Sequence, residues 1–446
     1  MTRAMETLLP RRLLLLAASD AVLVGAILAA TSLAVARLQW DALATVSIAP
    51  IAIVCVVVLV CLHGFDLYQV RIAANPREVA TRLSQVLGTA CIVLAGLYSL
   101  APHLLLDRDV VLAGSLITGT ALVINRRVFL LLNHSRAFSE RALLLGSGQL
   151  ALALAEELER HPEHGLYQVA WLPDFTDEAS LLREVANTRA QRVILALDNH
   201  QRLPLEALVE LRSQGVRVER GAEAYEEATA KVPLDSLSLG WLLSLDSASP
   251  RLRAATKRAL SIVVAAPALL VLSPLMALVA VLIRLDSPGP ALFCQERVGQ
   301  GGRKFTLYKF RSMTTDPERH GDNLPCQAGD RRITRLGRLL RRTRLDEMPQ
   351  LFNVLRGDIA LVGPRPFMAS QEAELVEKIP YYRYRWAAKP GLTGWAQIHR
   401  GYCATVADNT DKLAYDLFYI KHQSLGLDVL ILFQTLKIML LGRGAR

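Results

Sequence analysis

The chain has 446 residues, of which 52% are hydrophobic and 21% charged, and its formal net charge is +10. Long apolar runs in a basic chain favour a membrane protein with basic cytoplasmic surfaces and argue against a nucleic-acid-binding protein. The six cysteines are scattered without a CxxC pair, so neither a zinc site nor a disulfide framework is predicted.

Four apolar stretches open the chain, at about 13–36, 46–62, 82–101 and 109–124. Each is close to the roughly 20 residues that a membrane-spanning helix needs. Arginines precede the first stretch and follow the second and the fourth, where Arg126 and Arg127 stand. This predicts a four-helix transmembrane bundle with both ends in the cytoplasm. Asp20 lies inside the first stretch, where a functional role and a packing role are both open.

Residues 137–235 alternate short strand-like and helical segments, which predicts a Rossmann-like α/β unit with a parallel sheet. Gly146, Gly148 and Ala151 follow the first predicted strand and fit G-x-G-x-x-A, and Asp174 follows the second. Such a loop can bind a pyrophosphate at a helix N-terminus. We favour the alternative, a nucleotide-free domain used for packing or dimerisation. The predicted domains are 1–136, 137–250 and 251–446.

A fifth apolar run, "ALSIVVAAPALLVLSPLMALVAVLI", covers residues 259–283, and basic residues flank both of its ends. Pro267, Ser273 and Pro274 interrupt its middle, and proline removes a backbone donor. We interpret the run as a re-entrant hairpin that enters the cytoplasmic leaflet and turns back at Ser273-Pro274. There Ser273 could donate to a carbonyl that has lost its partner. A kinked spanning helix is the alternative.

The following segment, 286–313, is rich in Gly, Pro and Arg. Basic and polar side chains are spaced along two predicted strands and their turns: Gln295, Arg297, Lys309 and Arg311. Such cations can hold phosphates, whereas a solvated strand face is the better explanation for any one of these residues taken alone.

The segment "RRITRLGRLLRRTR", 331–344, predicts a basic amphipathic helix that can lie at an anionic membrane surface. One stripe consists of Arg331, Arg335, Arg338 and Arg342, and the opposite face of Ile333, Leu336 and Leu340. Because the residue before a proline avoids the α region, the helix is expected to break near Met348.

Asp346 and Glu347 stand at this expected break, where two adjacent carboxylates can converge. Nearby arginines would keep both ionised and would neutralise a diphosphate, while a bound Mg²⁺ would bridge carboxylate and phosphate oxygens. An ionised Asp can then attack phosphorus. A helical Arg342–Asp346 salt bridge, worth about 0.3–0.5 kcal/mol, is the alternative and the better explanation of the dipeptide alone.

The segments "LDEMPQLFNVLRGDIALVGPRP" (345–366), "KFRSM" and "KPGLTGWAQ" (389–397) resemble those of bacterial polyprenyl-phosphate sugar-1-phosphate transferases. These are monotopic phosphoglycosyl transferases of polysaccharide assembly. The whole chain resembles their large members, which add a four-helix bundle and a Rossmann-like domain. Its C-terminal segment resembles the exopolysaccharide branch, where UDP-glucose is the usual donor.

The resemblance implies that Asp346 is the nucleophile and a Mg²⁺ ligand, with Glu347 as its partner. It places phosphate-binding side chains at Arg341, Arg365, Lys309 and Arg311, the break of the membrane helix at Ser273-Pro274, and the charges at its entrance at Lys257 and Arg258. It implies a UDP-sugar donor, glucose before galactose, an undecaprenyl phosphate acceptor, UMP release, and a homodimer in the inner membrane with the catalytic domain in the cytoplasm. "GPRPFMASQ" departs from the Glu-Arg-Pro continuation of many relatives.

Two other interpretations remain. A membrane-bound nucleotide-sugar dehydratase would need a second dinucleotide fold with a Gly-rich loop and a Tyr-x-x-x-Lys pair, which the sequence after residue 250 does not show. A non-catalytic assembly scaffold would use the cytoplasmic domains only for contacts. The last helix, about 425–441, is interrupted by Asp428, Gln434 and Lys437 and is expected to be interfacial.

Overall fold

The structure is a computed structural model. It describes residues 11–38, 48–65, 67–68, 76–100, 106, 108–133, 140–160, 166–174, 177–197, 204–237, 250–314, 332–400 and 405–440. The chain forms two compact units, Met1–Thr229 and Ala230–Arg446. The predicted division into three domains is finer than this and stays a prediction.

The four N-terminal apolar stretches are helices. They are α1 (Arg11–Leu38), α2 (Ile48–Gly64), α3 (Pro76–Leu100) and α4 (Arg108–Asn133). Helix α1 packs against α2 and α4, and α3 packs against α2 and α4. Leucine and valine side chains from all four helices share one buried core. The prediction of four helices is therefore confirmed at the level of secondary structure.

Helices that could cross a membrane occur in both units. Among the described residues, Leu15–Val35, Val79–Ser99 and Arg253–Asp286 are long and apolar enough to do so. Helix α2 is apolar but shorter. A membrane protein is thus supported, and four spans in the N-terminal unit remain a prediction.

Asp20 is buried in an ion pair with Arg126. Both nitrogens of the guanidinium fork donate to the Asp20 carboxylate, at 2.9 and 2.8 Å, and Asn125 adds a third hydrogen bond at 2.8 Å. Neither side chain is more than 1% exposed. Packing therefore explains Asp20. Arg126 is not the flanking charge that the sequence predicted. It lies inside α4, which continues beyond it, and its side chain is buried against Asp20.

The α/β segment contains four parallel strands and four helices. The strands are β1 (Glu140–Leu145), β2 (Leu166–Leu172), β3 (Arg192–Leu195) and β4 (Arg217–Arg220), in the sheet order β2-β1-β3-β4. The helices are α5 (Gln149–Arg160), α6 (Glu178–Thr188), α7 (Leu205–Ser213) and α8 (Gly221–Thr229). The predicted parallel sheet is confirmed.

Gly146 is explained by packing within this segment. Its φ is +134°, and a Cβ there would lie 2.2 Å from the carbonyl oxygen of Ala196. Its own carbonyl accepts a hydrogen bond from the indole of Trp171 at 2.7 Å. These contacts alone explain why the first position of the G-x-G-x-x-A loop is glycine, whether or not the loop binds a ligand.

The second unit begins with one long helix, α9 (Pro250–Asp286), which contains both Pro267 and Pro274. The helix is not interrupted at Ser273-Pro274, where the sequence predicted a turn. The hydroxyl of Ser273 donates to the Leu270 carbonyl at 2.8 Å. That carbonyl is the acceptor that Pro274, four residues on, cannot use. The predicted compensation by Ser273 therefore occurs and keeps the helix continuous.

The rest of this unit is a compact α+β assembly. Its strands are β5 (Leu292–Val298), antiparallel to β6 (Lys304–Phe310), and β7 (Ala360–Val362), parallel to β8 (Gly391–Thr393). Its helices are α10 (Arg335–Thr343), α11 (Gln350–Arg356), α12 (Ala369–Lys378), α13 (Trp395–His399), α14 (Val406–Lys421) and α15 (Leu425–Leu440). Met276, Ile283, Phe310, Leu340 and Met348 form one core with their neighbours, which joins α9 to the α10–α11 region.

Helix α10 is shorter than predicted. It starts after Thr334, whose side chain accepts from the Gly337 amide, and does not include residues 332–334. A Cβ at Gly337 would lie 2.0 Å from the Ser312 carbonyl oxygen, so glycine lets the helix approach the end of β6 closely. The basic face is confirmed at Arg335, Arg338 and Arg342, which are exposed, and Leu340 is buried. Arg331 lies outside the described residues.

Helix α15 differs from the prediction at Asp428. This side chain is buried and accepts a hydrogen bond from the Tyr419 hydroxyl at 2.6 Å. It therefore faces the protein and does not mark a polar outer face. The outer face carries exposed Leu425, Val429, Leu436 and Met439, which agrees with the predicted interfacial location.

Removing Arg126 is expected to destabilise the N-terminal unit by about 3–5 kcal/mol, because Arg126→Ala leaves the carboxylate of Asp20 buried without a cation. Arg127→Ala is the matched control, since this neighbouring side chain is exposed. Thermal unfolding in detergent should show a large decrease in Tm for Arg126→Ala alone. Equal melting temperatures for the two variants would contradict a stabilising role of the pair.

Candidate active site

The two candidate carboxylates lie on a short 3₁₀ turn between α10 and α11. Helix α10 ends at Arg344, which adopts a left-handed conformation with φ 59°, and Leu345–Glu347 form the turn. Met348 has φ −54° and ψ −39°, which is α-helical although it precedes Pro349. The predicted break near Met348 is therefore wrong by four residues, because the left-handed residue ends the helix first.

Glu347 is held by basic residues from two other elements. The Lys309 ammonium lies 3.0 Å and the Arg365 guanidinium 2.6 Å from its Oε1 atom, and Arg344 approaches Oε2 at 4.0 Å. The Glu347 side chain is 14% exposed. Burial alone raises the pKa of Glu347, but the charges of Arg365 and Lys309 outweigh it and hold that pKa well below its usual range.

Asp346 has a different environment. It is half-buried, and no side chain in the described part of the chain donates a hydrogen bond to its carboxylate. Burial and the neighbouring charge of Glu347 raise the pKa of Asp346, and the charges of Lys309 and Arg341 do not cancel this increase. The pKa of Glu347 is therefore lowered, as predicted, whereas the pKa of Asp346 is raised.

Three of the predicted phosphate-binding residues lie near this pair of acids. Lys309 is the penultimate residue of β6, and Arg365 follows β7 in the "GPRP" segment. Arg341 lies in the last turn of α10, where its Nε donates to the Ser312 hydroxyl at 2.8 Å. Burial lowers the pKa of Lys309, and the charge of Arg365 adds to this decrease.

Arg311 has a different role from the predicted one. Its side chain is 4% exposed, and it donates to the carbonyls of Ile283, Ser287 and Pro288 at 3.2, 2.6 and 2.7 Å. It therefore joins the C-terminal end of α9 to β6. The prediction that Arg311 binds phosphate is not supported, because backbone carbonyls occupy its guanidinium.

Lys257 and Arg258 hold the first part of α9 against the same unit. Lys257 donates to the Tyr419 hydroxyl and lies 3.9 Å from Asp428. Arg258 donates to the carbonyls of Val354 and Leu355, at 2.6 and 2.5 Å. These carbonyls belong to the last turn of α11, where a cation is favourable. Arg258 thus joins the membrane helix to the helix that directly follows the two acids.

Asn353 is a positioning residue that sequence reasoning missed. Its fully buried amide accepts from the Tyr308 backbone N–H at 3.0 Å and donates to the Thr306 carbonyl at 2.7 Å. It therefore pairs with β6 as a strand would and joins α11 to the strand that carries Lys309. The available signal was a single polar residue within the apolar run "LFNVL".

The "GPRP" segment is held by a second set of missed contacts. A Cβ at Gly363 would lie 2.3 Å from the Lys389 carbonyl oxygen, and one at Gly394 would lie 2.1 Å from the Gly363 carbonyl oxygen. The segments "GPRP" and "KPGLTG" can therefore interlock only as glycine backbones. Arg297 donates to the Pro366 carbonyl at 3.2 Å and to Gln295 at 2.5 Å. The Arg297 side chain is half-buried and hydrogen-bonded, so it does not lie on a fully solvated strand face. Burial lowers the pKa of Arg297 to about 10.

The two acids fit a metal ion that a substrate helps to coordinate. Among the described residues, no group of three or more His, Cys, Asp or Glu side chains could hold a metal ion alone. Magnesium usually takes one or two carboxylates together with substrate phosphates and waters. Asp346, whose carboxylate accepts no donor from the described chain, suits such a site.

Comparisons with known proteins agree with this geometry. A sequence model of the family described as bacterial sugar transferase matches residues 252–442. The UDP-N-acetylgalactosamine-undecaprenyl-phosphate N-acetylgalactosaminephosphotransferase of Aeromonas hydrophila is 47% identical over 221 residues, which cover 50% of this chain and 52% of that protein. The undecaprenyl-phosphate glucose phosphotransferase of Komagataeibacter xylinus is 45% identical over 194 residues, 42% of this chain and 36% of that protein.

A longer match covers part of the N-terminal unit as well. The UDP-glucose:undecaprenyl-phosphate glucose-1-phosphate transferase of Xanthomonas campestris pv. campestris is 32% identical over 334 residues, 68% of either chain. The chain thus spans about half the length of the Aeromonas protein and about a third of the Komagataeibacter protein. The predicted resemblance to polyprenyl-phosphate hexose-1-phosphate transferases is confirmed. The chain belongs to the bacterial sugar transferase family.

Proposed function

We propose that this protein transfers a hexose-1-phosphate from a UDP-sugar to undecaprenyl phosphate and releases UMP. The observation that carries the proposal is the unequal pair of acids: Glu347 is held by Lys309 and Arg365, whereas Asp346 has a half-buried carboxylate with no donor among the described residues. The names of the relatives support both the acceptor and a UDP-sugar donor.

In this proposal Asp346 is the nucleophile. One of its carboxylate oxygens attacks the phosphorus that carries the sugar, and the bond from that phosphorus to the bridging oxygen breaks as UMP leaves. The product is an aspartyl phosphosugar. A phosphate oxygen of undecaprenyl phosphate then attacks the same phosphorus, which releases the Asp346 carboxylate and forms the lipid diphosphate-sugar.

The surrounding side chains provide charge and orientation. Lys309 and Arg365 touch Glu347 through one oxygen and lie where a diphosphate would meet Asp346. Their donors can therefore neutralise the charge that develops on the leaving phosphate. Asp346, with Glu347 beside it, would hold Mg²⁺, which when bound supplies further positive charge for the diphosphate. Glu347 is unsuited as the nucleophile because its salt bridges and low pKa make it a weak donor of electrons.

The contacts of α9 support re-entry into one leaflet. Near one end of α9, Arg258 donates to the Val354 carbonyl in α11. Near the other end, the Ile283 carbonyl accepts from Arg311, which follows β6. Both ends of α9 therefore contact the α+β part of the second unit. A straight helix would separate these two positions by about 37 Å, enough to cross the hydrocarbon core of a bilayer. The side chains of Leu270 and Val271 between them are exposed. We infer that α9 bends at its prolines and leaves the catalytic unit on the cytoplasmic side of the inner membrane.

The sugar that is transferred is proposed to be glucose before galactose, as the resemblance of the C-terminal segment implies. The names of the relatives include glucose and N-acetylgalactosamine. The homodimer implied by the resemblance stays a prediction. The dehydratase alternative finds no support in the described part of the second unit, where the sheets have only two strands each.

Asp346→Asn is expected to lower UMP release by a factor on the order of 10³ or more, because an amide cannot form the acyl phosphate. Purified protein with UDP-sugar, Mg²⁺ and undecaprenyl phosphate provides the assay, with UDP-glucose, UDP-galactose and UDP-N-acetylgalactosamine as donors. Glu374→Gln, an exposed carboxylate of the same unit, is the control. Release of UDP would indicate glycosyl transfer, and activity retained in Asp346→Asn would refute the mechanism.

Arg365 and Arg311 are expected to respond differently to substitution. Arg365→Lys should raise KM for the UDP-sugar by roughly 10- to 100-fold with little change in Tm, because one charge-assisted hydrogen bond contributes about 1.5–3 kcal/mol. Arg311→Lys should lower Tm and leave KM nearly unchanged in the folded fraction, since its partners are backbone carbonyls. The reverse pattern would restore Arg311 as the phosphate-binding residue.

The topology of α9 can be tested by cysteine labelling of intact cells. Thr256→Cys and Asp286→Cys, both exposed positions at opposite ends of the helix, are introduced singly after the native cysteines are replaced. An impermeant maleimide should label neither until the cells are lysed, because both ends are cytoplasmic. Labelling of one end from the periplasm would show a spanning helix.

A further inference from the structure

The segment that carries Arg365 is held mainly through its carbonyl groups. Pro364 and Pro366 have no backbone N–H, so hydrogen bonds to this stretch depend on donors from elsewhere. The Pro364 carbonyl accepts from the Gly391 amide at 2.9 Å. The next two carbonyls accept from guanidinium groups: buried Arg385 donates to Arg365 at 2.9 Å and half-buried Arg297 donates to Pro366 at 3.2 Å.

Arg385 has a fixed orientation. Its Nε donates to the Asp416 carboxylate at 2.8 Å, and its Nη1 donates to the Tyr382 hydroxyl at 2.6 Å. Its guanidinium also stacks over the ring of Phe367, 4.9 Å from the ring centre. Only its third arm, Nη2, reaches the backbone of Arg365. Arg385 thus connects α14, which carries Asp416, to the segment that presents Arg365 to Glu347.

Arg385 cannot itself touch a substrate in this arrangement. Its side chain is 4% exposed, and that of Asp416 is 2% exposed. The Arg365 side chain, in contrast, is 30% exposed, and one of its nitrogens donates a hydrogen bond to Glu347. We therefore expect an effect of Arg385 on phosphate transfer to pass through a residue that it contacts, and Arg365 is its contact at the candidate site.

We propose that Arg385 is a positioning residue that sets the place of the Arg365 guanidinium against Glu347. The inference rests on the proposed function for its kinetic consequence, but not for its geometry. Lysine in place of Arg385 keeps the charge beside Asp416 and cannot make the three-armed contact. The Arg365 carbonyl would then lose its hydrogen-bond donor, and the backbone that carries the Arg365 side chain would no longer be held in place.

A double-mutant cycle on the full-length protein tests the kinetic part. Arg385→Lys is expected to lower kcat/KM for UMP release on the order of 10- to 100-fold, mainly through KM, because a small misplacement of a substrate-binding group has effects of this size. In the Arg365→Ala background the same substitution should change kcat/KM by less than about twofold. An equal loss in both backgrounds would mean a general structural role and would overturn the proposal.

A second measurement is independent of activity. Phenylglyoxal modification of Arg365, followed by mass spectrometry without any donor, should be several-fold faster in Arg385→Lys than in the native protein, because Arg365 is released from Glu347. Exposed Arg356 provides the internal reference. Tyr382→Phe, which leaves the donor to the Arg365 carbonyl in place, should resemble the native protein. An unchanged Arg365 rate in Arg385→Lys would overturn the proposal.

The two measurements separate the proposals. A native protein that releases no UMP from any UDP-sugar would refute the proposed function, and the modification rate would still decide the role of Arg385. If Arg385→Lys does not fold, Asp416→Asn replaces it, since the neutral amide keeps the shape and loosens the same guanidinium. An unchanged Arg365 rate in that variant would equally count against positioning.

Discussion

The geometry of the second unit depends on neutralising the negative charge of one buried carboxylate, that of Glu347. An ionised Glu347 at 14% exposure would be strongly unfavourable alone, and Lys309 from β6 and Arg365 from the "GPRP" segment bind the same oxygen. Three distant parts of the sequence must therefore meet at one atom. Asp346, the preceding residue, accepts no side-chain hydrogen bond from the described residues, although the charges of Lys309 and Arg341 still act on it.

The supporting contacts follow from that requirement. Asn353 joins the helix after the acids to the strand of Lys309, and Arg385 and Arg297 hold the segment of Arg365 by its carbonyls. Arg258 caps the helix that directly follows the acids. Buried polar groups of this kind require partners, and each of these side chains has at least one on an element that carries or adjoins a candidate site residue.

Helix α9 and the two candidate carboxylates belong to one unit. Arg258 and Arg311 connect positions near the two ends of α9 to the helix and the strand that flank the active site. Within the exposed apolar middle of α9, the Ser273 hydroxyl donates to the carbonyl that Pro274, which has no N–H, leaves without its helical partner. In the proposed topology the depth of this helix in the lipid therefore determines the height of Asp346 above the membrane, where a polyprenyl phosphate presents its headgroup.

The sequence alone predicted the N-terminal helices, the parallel sheet and the family. Apolar length identified the helices, alternating segments identified the parallel sheet, and the motifs around Asp346 and Glu347 identified the family. The sequence did not determine the hydrogen-bond partner of each arginine. Nothing in the sequence distinguishes Arg311, Arg341 and Arg365, and only the fold brings Arg311 to backbone carbonyls and Arg365 to Glu347. The helix end at Arg344, the inward Asp428 and the buried Arg385–Asp416 pair were decided in the same way. Partner choice depends on contacts between residues distant in sequence, and local patterns carry no information about them.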